Sequence, residues 1–316
     1  MLEHVNEARA VMQEVEKAVL GKEEAVMEIM TAFLSNGHVL LEDIPGVGKT
    51  TLANAFAAAM GLKCRRVQFT PDVMPSDLTG FSVYRREEDK FVYQEGSVFC
   101  NLLLADEINR TSPKTQSALL EVMEERKVSV EGVTRPVPEP FLVIATQNPS
   151  GTAGTQMLPE AQIDRFMVTL SLGYPDYASE MEIARSAGNG PRTQAVSAVC
   201  DASLLKVMQE EIHQVYIKDE IYDYILRLIT ETRRHPYLER GASPRATLAL
   251  VKTARAFAWL SGRDYVVPGD VKRQLPYVLS HRILVNSAAR MNNLGRANII
   301  ESISKNVPLP YMGAKK

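Results

Sequence analysis

The sequence predicts an α/β fold: a five-stranded, mostly parallel sheet with helices on both faces, joined to an all-α second domain. Three observations predict it. Short apolar runs bounded by turn residues alternate with stretches whose apolar residues recur at three- and four-residue spacing. One of those runs leads through a glycine-rich loop directly into a helical stretch. Beyond Tyr174-Pro175 the strand signals stop and the helical period alone continues. A chain of 316 residues suits two domains at roughly 100–200 residues each. Its 45% hydrophobic and 23% charged residues are those of a chain that builds a core, which excludes disordered and low-complexity classes.

Residues 3–33 read as helical, with Val5, Ala8, Val11, Met12 and Val15, then Val26, Ile29, Met30 and Phe33, on an apolar stripe that Gly21 interrupts. His38–Leu41 reads as the first strand, and Thr50–Met60 as the helix after the glycine-rich loop, stopped by Gly61. Cys64–Phe69, Asn101–Ala105, Phe141–Ala145 and Met167–Leu172 supply four more strands. Five strands separated by helices argue for a parallel sheet covered on both faces. Phe81–Tyr84 and Phe91–Tyr93 flank the charged turn Arg85–Lys90, a hairpin inserted into a helical connection. A second hairpin, Lys127–Val130 with Val133–Val137, follows the helix expected over Ser112–Arg126. The tail reads as helices over Leu204–Val215, Glu220–Arg234, Pro244–Ser261, Pro268–Leu279 and Ala288–Ser304. Ser186–Arg192, with two glycines and a proline, is the expected linker between domains 1–190 and 191–316.

A net charge of −2 offers no sign of nucleic acid, but the two domains differ: 17 Lys/Arg against 27 Asp/Glu in 1–190, and 19 against 11 in 191–316. The longest apolar runs are about five residues, against the roughly 18 that suggest a membrane span. The N-terminal stretch carries Glu3, Glu7, Glu14 and Glu16 rather than a basic and then apolar signal, so a cytoplasmic location is expected. Cys64, Cys100 and Cys200 form no CxxC pair and read as buried thiols of a reducing compartment. The five histidines are scattered and read as surface or capping residues, and Trp259 as core.

The sharpest local signal is Asp43-Ile44-Pro45-Gly46-Val47-Gly48-Lys49-Thr50, between a strand and a helix. A phosphate cradle needs glycines so that backbone N–H groups turn toward the anion, a Lys for the β and γ charge, and a hydroxyl for Mg²⁺. Gly46, Gly48, Lys49 and Thr50 supply these, with Asp43 standing where the motif usually starts with Gly. About 55 residues downstream, Leu102-Leu103-Leu104-Ala105-Asp106-Glu107 is an apolar strand ending in two carboxylates. Asp106 suits the metal shell and Glu107 the polarising of an attacking water. Asn148 ends the next apolar strand, and parallel sheets bind ligands at the carboxyl ends of their strands, so it joins the same crevice and could orient that water.

These motifs, in this order, resemble the AAA+ ATPases, and the wording resembles their MoxR family. Asp106-Glu107-Ile108-Asn109-Arg110, Leu158-Pro159-Glu160-Ala161-Gln162-Ile163-Asp164-Arg165-Phe166 and Ser243-Pro244-Arg245 look like that family's signatures, and the match spans about residues 21–270. The resemblance implies a P-loop AAA+ core with hairpin inserts, a helical lid, ATP or ADP with Mg²⁺ as cofactors, and a chaperone-like assembly or activation role. It implies a homo-oligomeric ring, taken as a hexamer, and a von Willebrand factor A domain protein as partner. Residue by residue it puts Leu20 and Gly21 at the adenine, with Pro45, Val47 and Thr51 alongside the four cradle residues at the nucleotide. Thr50 and Asp106 are the implied metal ligands, Glu107 and Asn148 the catalytic pair, Arg165 a finger reaching a neighbouring subunit, and Arg245 the lid's phosphate sensor. Ser243 as cap and Pro244 at the first helical position set Arg245 at a helix start, where anions bind. Gly96-Ser97 stands where the family has Gly-Pro. Two alternatives stand beside it: a magnesium-chelatase-like motor subunit, which shares these phrases, and a nucleic-acid remodelling AAA+ protein using the basic tail, which lacks a helix-turn-helix pattern. In a head-to-tail ring, an acidic core meeting a basic lid is a favourable geometry.

Overall fold

The computed structural model describes residues 2–44, 46–148, 158–186, 188 and 190–311. Five strands form one sheet: β1 (Val39–Glu42), β2 (Cys64–Gln68), β5 (Leu102–Asp106), β8 (Leu142–Gln147) and β9 (Val168–Leu170). Their order is β2-β5-β8-β1-β9, and every neighbouring pair runs parallel. The central strands β5 and β8 are buried at every position, as strands covered on both faces must be. Side chains alternate between two cores: Val39, Leu41, Leu102, Leu104 and Ile144 face one, and Leu40, Leu103, Val143 and Ala145 the other. Each such fully buried Val, Leu or Ile side chain contributes about 1.5–3 kcal/mol relative to exposure.

The first core continues through α1 (Val5–Ala18), α2 (Glu23–Leu34) and α3 (Lys49–Ala59) into the tail helices α8 (Ala202–His213), α9 (Asp219–Arg234), α10 (Pro244–Leu260) and α11 (Pro268–Leu279). The second lies under α5 (Pro113–Glu125). Caps legible in the sequence set several starts: Ser112 Oγ accepts from Thr115 N ahead of α5, and Ser243 Oγ accepts from Arg245 N ahead of α10, each with proline at the first turn. Both expected hairpins are present, as β3 (Gly80–Arg85) with β4 (Lys90–Glu95) and β6 (Lys127–Val130) with β7 (Val133–Pro136). Two short helices join the expected elements, α4 (Pro75–Thr79) and α7 (Tyr177–Arg185), besides the single turn α6 (Glu160–Ile163). At the Gly96-Ser97 turn, Ser97 donates from both its N–H and its Oγ to the Asp77 carbonyl, at 2.9 Å each. Hydrogen bonds there do what a proline ring would do by covalent constraint.

The tail departs from the all-helical expectation in two details. Two strands, β10 (Leu238–Arg240) and β11 (Leu284–Val285), pair antiparallel. Runs of two and three residues are too short for a period-two pattern to register. The helix expected over Ala288–Ser304 is two helices, α12 (Ser287–Met291) and α13 (Arg296–Asn306), separated by a turn in which Asn293 takes φ +54° and Gly295 caps α13. Two histidines are buried rather than surface residues. His38 meets the Met123 carbonyl at 3.1 Å and accepts from Val143 N at 3.1 Å, and burial pushes its pKa down to about 3. His281 lies 3.1 Å from the Phe166 carbonyl. Among the described residues, no helix is long and apolar enough to cross a membrane.

Candidate nucleotide site

Gly46 and Gly48 connect β1 to α3 with φ of +88° and +94°, a left-handed backbone that side chains resist. A Cβ on either would meet nothing within 4 Å, so conformation and not space is what calls for glycine. The turn brings the backbone of Gly46, Val47 and Gly48 to the start of α3, where free N–H groups and the helix dipole favour an anion. Lys49 opens the helix with its side chain buried, its ammonium donating to the Asp43 carbonyl at 3.0 Å. Thr50 and Thr51 follow on α3. Pro45 lies outside the described residues. The Asp43 carboxylate has a job beyond shaping the turn: it accepts from Ser171 Oγ at 2.7 Å, Gly173 N at 3.1 Å and Leu172 N, tying the loop to the chain leaving β9.

Opposite the loop, Asp106 ends β5 and Glu107 adopts φ 57°, ψ 47°, a left-handed conformation that costs a non-glycine residue about 1–3 kcal/mol. A buried hydroxyl from β8 holds both residues. Thr146 Oγ1 donates to Asp106 Oδ1 at 2.6 Å and accepts the Glu107 N–H at 2.8 Å. Asn148 Nδ2 donates to Glu107 Oε1 at 3.1 Å, and Arg110 Nη1 donates to Oε2 at 2.8 Å. The Asn148 Oδ1 acceptor is buried with no protein partner among the described residues.

Two cavities share Gly46, Gly48 and Thr51. One, of about 390 Å³, is lined by Lys49, Thr50, Asp106, Glu107, Arg66 and Gln68, so it is polar and carries both cations and carboxylates. The other, of about 290 Å³, is lined by Val19, Leu20, Val47, Pro175 and Ile183, an apolar slot of the kind a nucleobase occupies. Gly21 beside it takes φ +65°, and a Cβ there would come within 2.4 Å of Ser179 Oγ on α7. The donors fit a hard divalent ion, because a hydroxyl and a carboxylate oxygen of this cavity are the ligand types Mg²⁺ takes.

Arg165 and Arg245 are brought together, but not over this loop. Arg165 Nε lies 2.9 Å from Glu124 Oε2 and Arg245 Nη2 lies 2.5 Å from Glu124 Oε1. Both line a separate cavity, and neither lines the two cavities at the glycine-rich loop. Asp164 pairs instead with Arg282 Nε at 2.7 Å and accepts from Ser243 Oγ at 2.7 Å, so the segment bearing Arg165 and the cap of α10 are registered on one carboxylate. Burial lowers the Arg282 pKa, and the Asp164 contact partly restores it.

Sequence reasoning passed over Arg66, Glu124 and Thr146. Thr146 had a signal, a hydroxyl ending an otherwise apolar strand, and Arg66 a weaker one, a charge within an edge strand. Glu124 had none, being one of several helix-face acids.

The fold and this site define a P-loop AAA+ ATPase, an ATP-hydrolysing machine. Residues 38–168 match the model of the ATPase family associated with various cellular activities, and residues 230–303 match the AAA lid domain. The chain is 41% identical to the uncharacterized protein YeaC of Bacillus subtilis, covering 95% of this chain and 93% of YeaC. It is 41% identical to chaperone MoxR1 of Mycobacterium tuberculosis, over 95% of this chain and 82% of that one. A crystal structure from Cytophaga hutchinsonii assigned as an ATPase superposes with a TM-score of 0.91 at 38% identity, covering 98% of this chain and 97% of that one. The chain belongs to the MoxR family of AAA+ ATPases.

Proposed function

We propose that this protein is a Mg²⁺-dependent, cytoplasmic AAA+ ATPase that works as a homo-oligomeric ring, six-membered as the family resemblance implies, and drives the assembly or activation of partner proteins. The observation that carries the hydrolytic reading is the Thr146 hydroxyl shared between Asp106 and Glu107, with Glu107 held in a costly backbone conformation beside the phosphate cradle. Strain of that kind persists where surroundings over-determine it, as active sites do.

In this reading, the Lys49 ammonium leaves the Asp43 carbonyl for the β and γ phosphates, and the N–H groups of Gly46, Val47 and Gly48 take the remaining phosphate oxygens. Leu20, Gly21, Val47 and Thr51 border the base and ribose. Thr50 and Asp106 would hold Mg²⁺, which when bound neutralises charge developing on the phosphates. Glu107 accepts a proton from water, and Asn148, bonded to it through Nδ2, offers its Oδ1 to orient that water. Catalysis is then positioning and charge stabilisation rather than covalent chemistry.

Arg165 and Arg245 stand away from the chain's own phosphate cavity, which supports a role at the nucleotide of a neighbouring copy in a head-to-tail ring. Arg165 supplies the finger there, and Arg245, which a lid sensor would otherwise direct at its own nucleotide, reads that same phosphate from beside it. The working division is a core of residues 1–190 and a lid of 191–316. The name of the M. tuberculosis relative supports a chaperone role, and the family resemblance points to von Willebrand factor A domain proteins as clients.

The test is a pair of variants. Lys49→Ala loses tight ATP binding, whereas Glu107→Gln binds ATP, stops hydrolysis, and in ATP retains client proteins that the wild type releases. Normal turnover by Glu107→Gln would remove it as the water-activating group.

A further inference from the structure

One cation in the phosphate cavity has no part in the scheme above. Arg66 projects from β2, the edge strand beside β5, into the cavity lined by Lys49, Thr50 and Glu107. Its Nη2 donates to Asp106 Oδ2 at 2.7 Å and to Gln68 Oε1 at 2.8 Å. Among the described residues both of its hydrogen bonds come from that one nitrogen, so the guanidinium is held at a corner, and the side chain is half exposed. Strand geometry accounts for the arrangement: Arg66 and Gln68 share one face of β2, and Gln68 is paired in register with Asp106.

The two oxygens of Asp106 are thereby divided. Oδ1 is committed to the buried Thr146 hydroxyl, an interaction between neighbouring interior strands. Oδ2 is the oxygen left to the cavity, and Arg66 holds it. A divalent ion and a guanidinium on one oxygen repel strongly at such range, so the two are alternatives there. A displaced arginine on a half-exposed stem in a phosphate cavity meets a phosphate, two of whose oxygens its planar donor fork matches.

We propose that Arg66 is a substrate-binding residue that exchanges partners: it neutralises Asp106 in the nucleotide-free protein and passes to the terminal phosphate when metal-bound nucleotide arrives. The proposal rests on the assignment of this cavity to ATP. It makes the metal's arrival on Asp106 and the grip on the γ-phosphate one coupled event, carried by a residue of the same chain rather than by a neighbour.

Binding calorimetry with AMP-PNP and ADP, in EDTA and across a Mg²⁺ series, tests it without reference to turnover. For Arg66→Ala, AMP-PNP binding at saturating Mg²⁺ weakens about tenfold or more, while ADP binding at saturating Mg²⁺, with no terminal phosphate contact to lose, is not weakened. The Mg²⁺ concentration that half-tightens ADP binding falls about tenfold, because no cation has to leave Asp106 and no terminal phosphate contact offsets its leaving. Arg66→Lys keeps AMP-PNP binding at saturating Mg²⁺ within about threefold of wild type, and it serves as the probe if the alanine variant melts early. The idea is overturned if Arg66→Ala leaves the Mg²⁺ midpoint for ADP unchanged, or if AMP-PNP and ADP weaken equally at saturating Mg²⁺. For the lysine probe, an AMP-PNP loss of tenfold or more at saturating Mg²⁺ overturns it in the same way. A wild-type protein that binds neither nucleotide refutes the ATP assignment itself, a result distinct from any pattern among the variants.

Discussion

Replacing Thr146 with valine isolates the hydroxyl that joins Asp106 to Glu107. Valine matches threonine in shape, so no cavity forms, and Thr146 is fully buried, so no water takes over its bonds. The 2.6 Å bond to a carboxylate is of the charged kind, worth about 1.5–3 kcal/mol, and the orphaned Glu107 N–H costs about 1–3 kcal/mol more. The expected loss of unfolding free energy is therefore about 2.5–6 kcal/mol, a large share of the roughly 5–15 kcal/mol a typical domain holds. Releasing the N–H also frees the left-handed backbone that aims the Glu107 carboxylate. A reorientation costing about 1.4–2.7 kcal/mol of transition-state stabilisation lowers kcat about 10–100-fold. Nucleotide affinity, set by the loop and Lys49, stays within about threefold. Urea unfolding and steady-state ATPase on the same preparation measure both effects, and Thr146→Ser, which keeps both bonds, recovers most of each. A valine variant within about 1 kcal/mol of wild type and within twofold in kcat would refute the reasoning, since a buried hydroxyl with two strong partners cannot be that cheap to lose.

Arg165→Ala binds ATP nearly normally and hydrolyses it about 10³-fold more slowly, and mixing it with Glu107→Gln restores part of the activity because one mixed interface regains both groups; no recovery in subunit-exchanging rings counts against action in trans. Glu124→Gln releases Arg165 and Arg245 from two partly exposed ion pairs worth about 0.5 kcal/mol each, so activity plotted against protein concentration shifts about fivefold toward lower concentration, and a superimposable curve removes Glu124 as their restraint. His4 is raised above its ordinary pKa chiefly by its hydrogen bond to Glu211, a contact between the start of α1 and α8. That contribution to stability is full below about pH 6.5, the unfolded value, and disappears as pH rises through the elevated folded value. The difference in urea midpoint between wild type and His4→Ala should accordingly shrink from pH 5.5 to 8.5, and a constant difference would show that the pair's charge contributes nothing.

Features that depend on neighbours a few residues away were readable along the chain. The glycines of the loop were legible because a left-handed turn admits little else, and the caps of α5 and α10 because serine and proline act within one helical turn. Asp106, Glu107 and Asn148 were legible because strands buried on both faces read as apolar runs, and what ends them stands out. Tertiary structure decided the rest, because the sheet order β2-β5-β8-β1-β9 sets beside each other strands that are not consecutive in the chain. Thr146 meets Asp106 across 40 residues, Arg282 meets Asp164 across 118, and Arg245 meets Glu124 across 121. No periodicity reports such pairs, since a hydrogen bond or ion pair needs only that two groups arrive within about 3 Å, whatever the length of chain between them. For the same reason, two histidines that looked like surface residues are buried: their partners are backbone groups from other elements, and the tertiary fold alone supplies them.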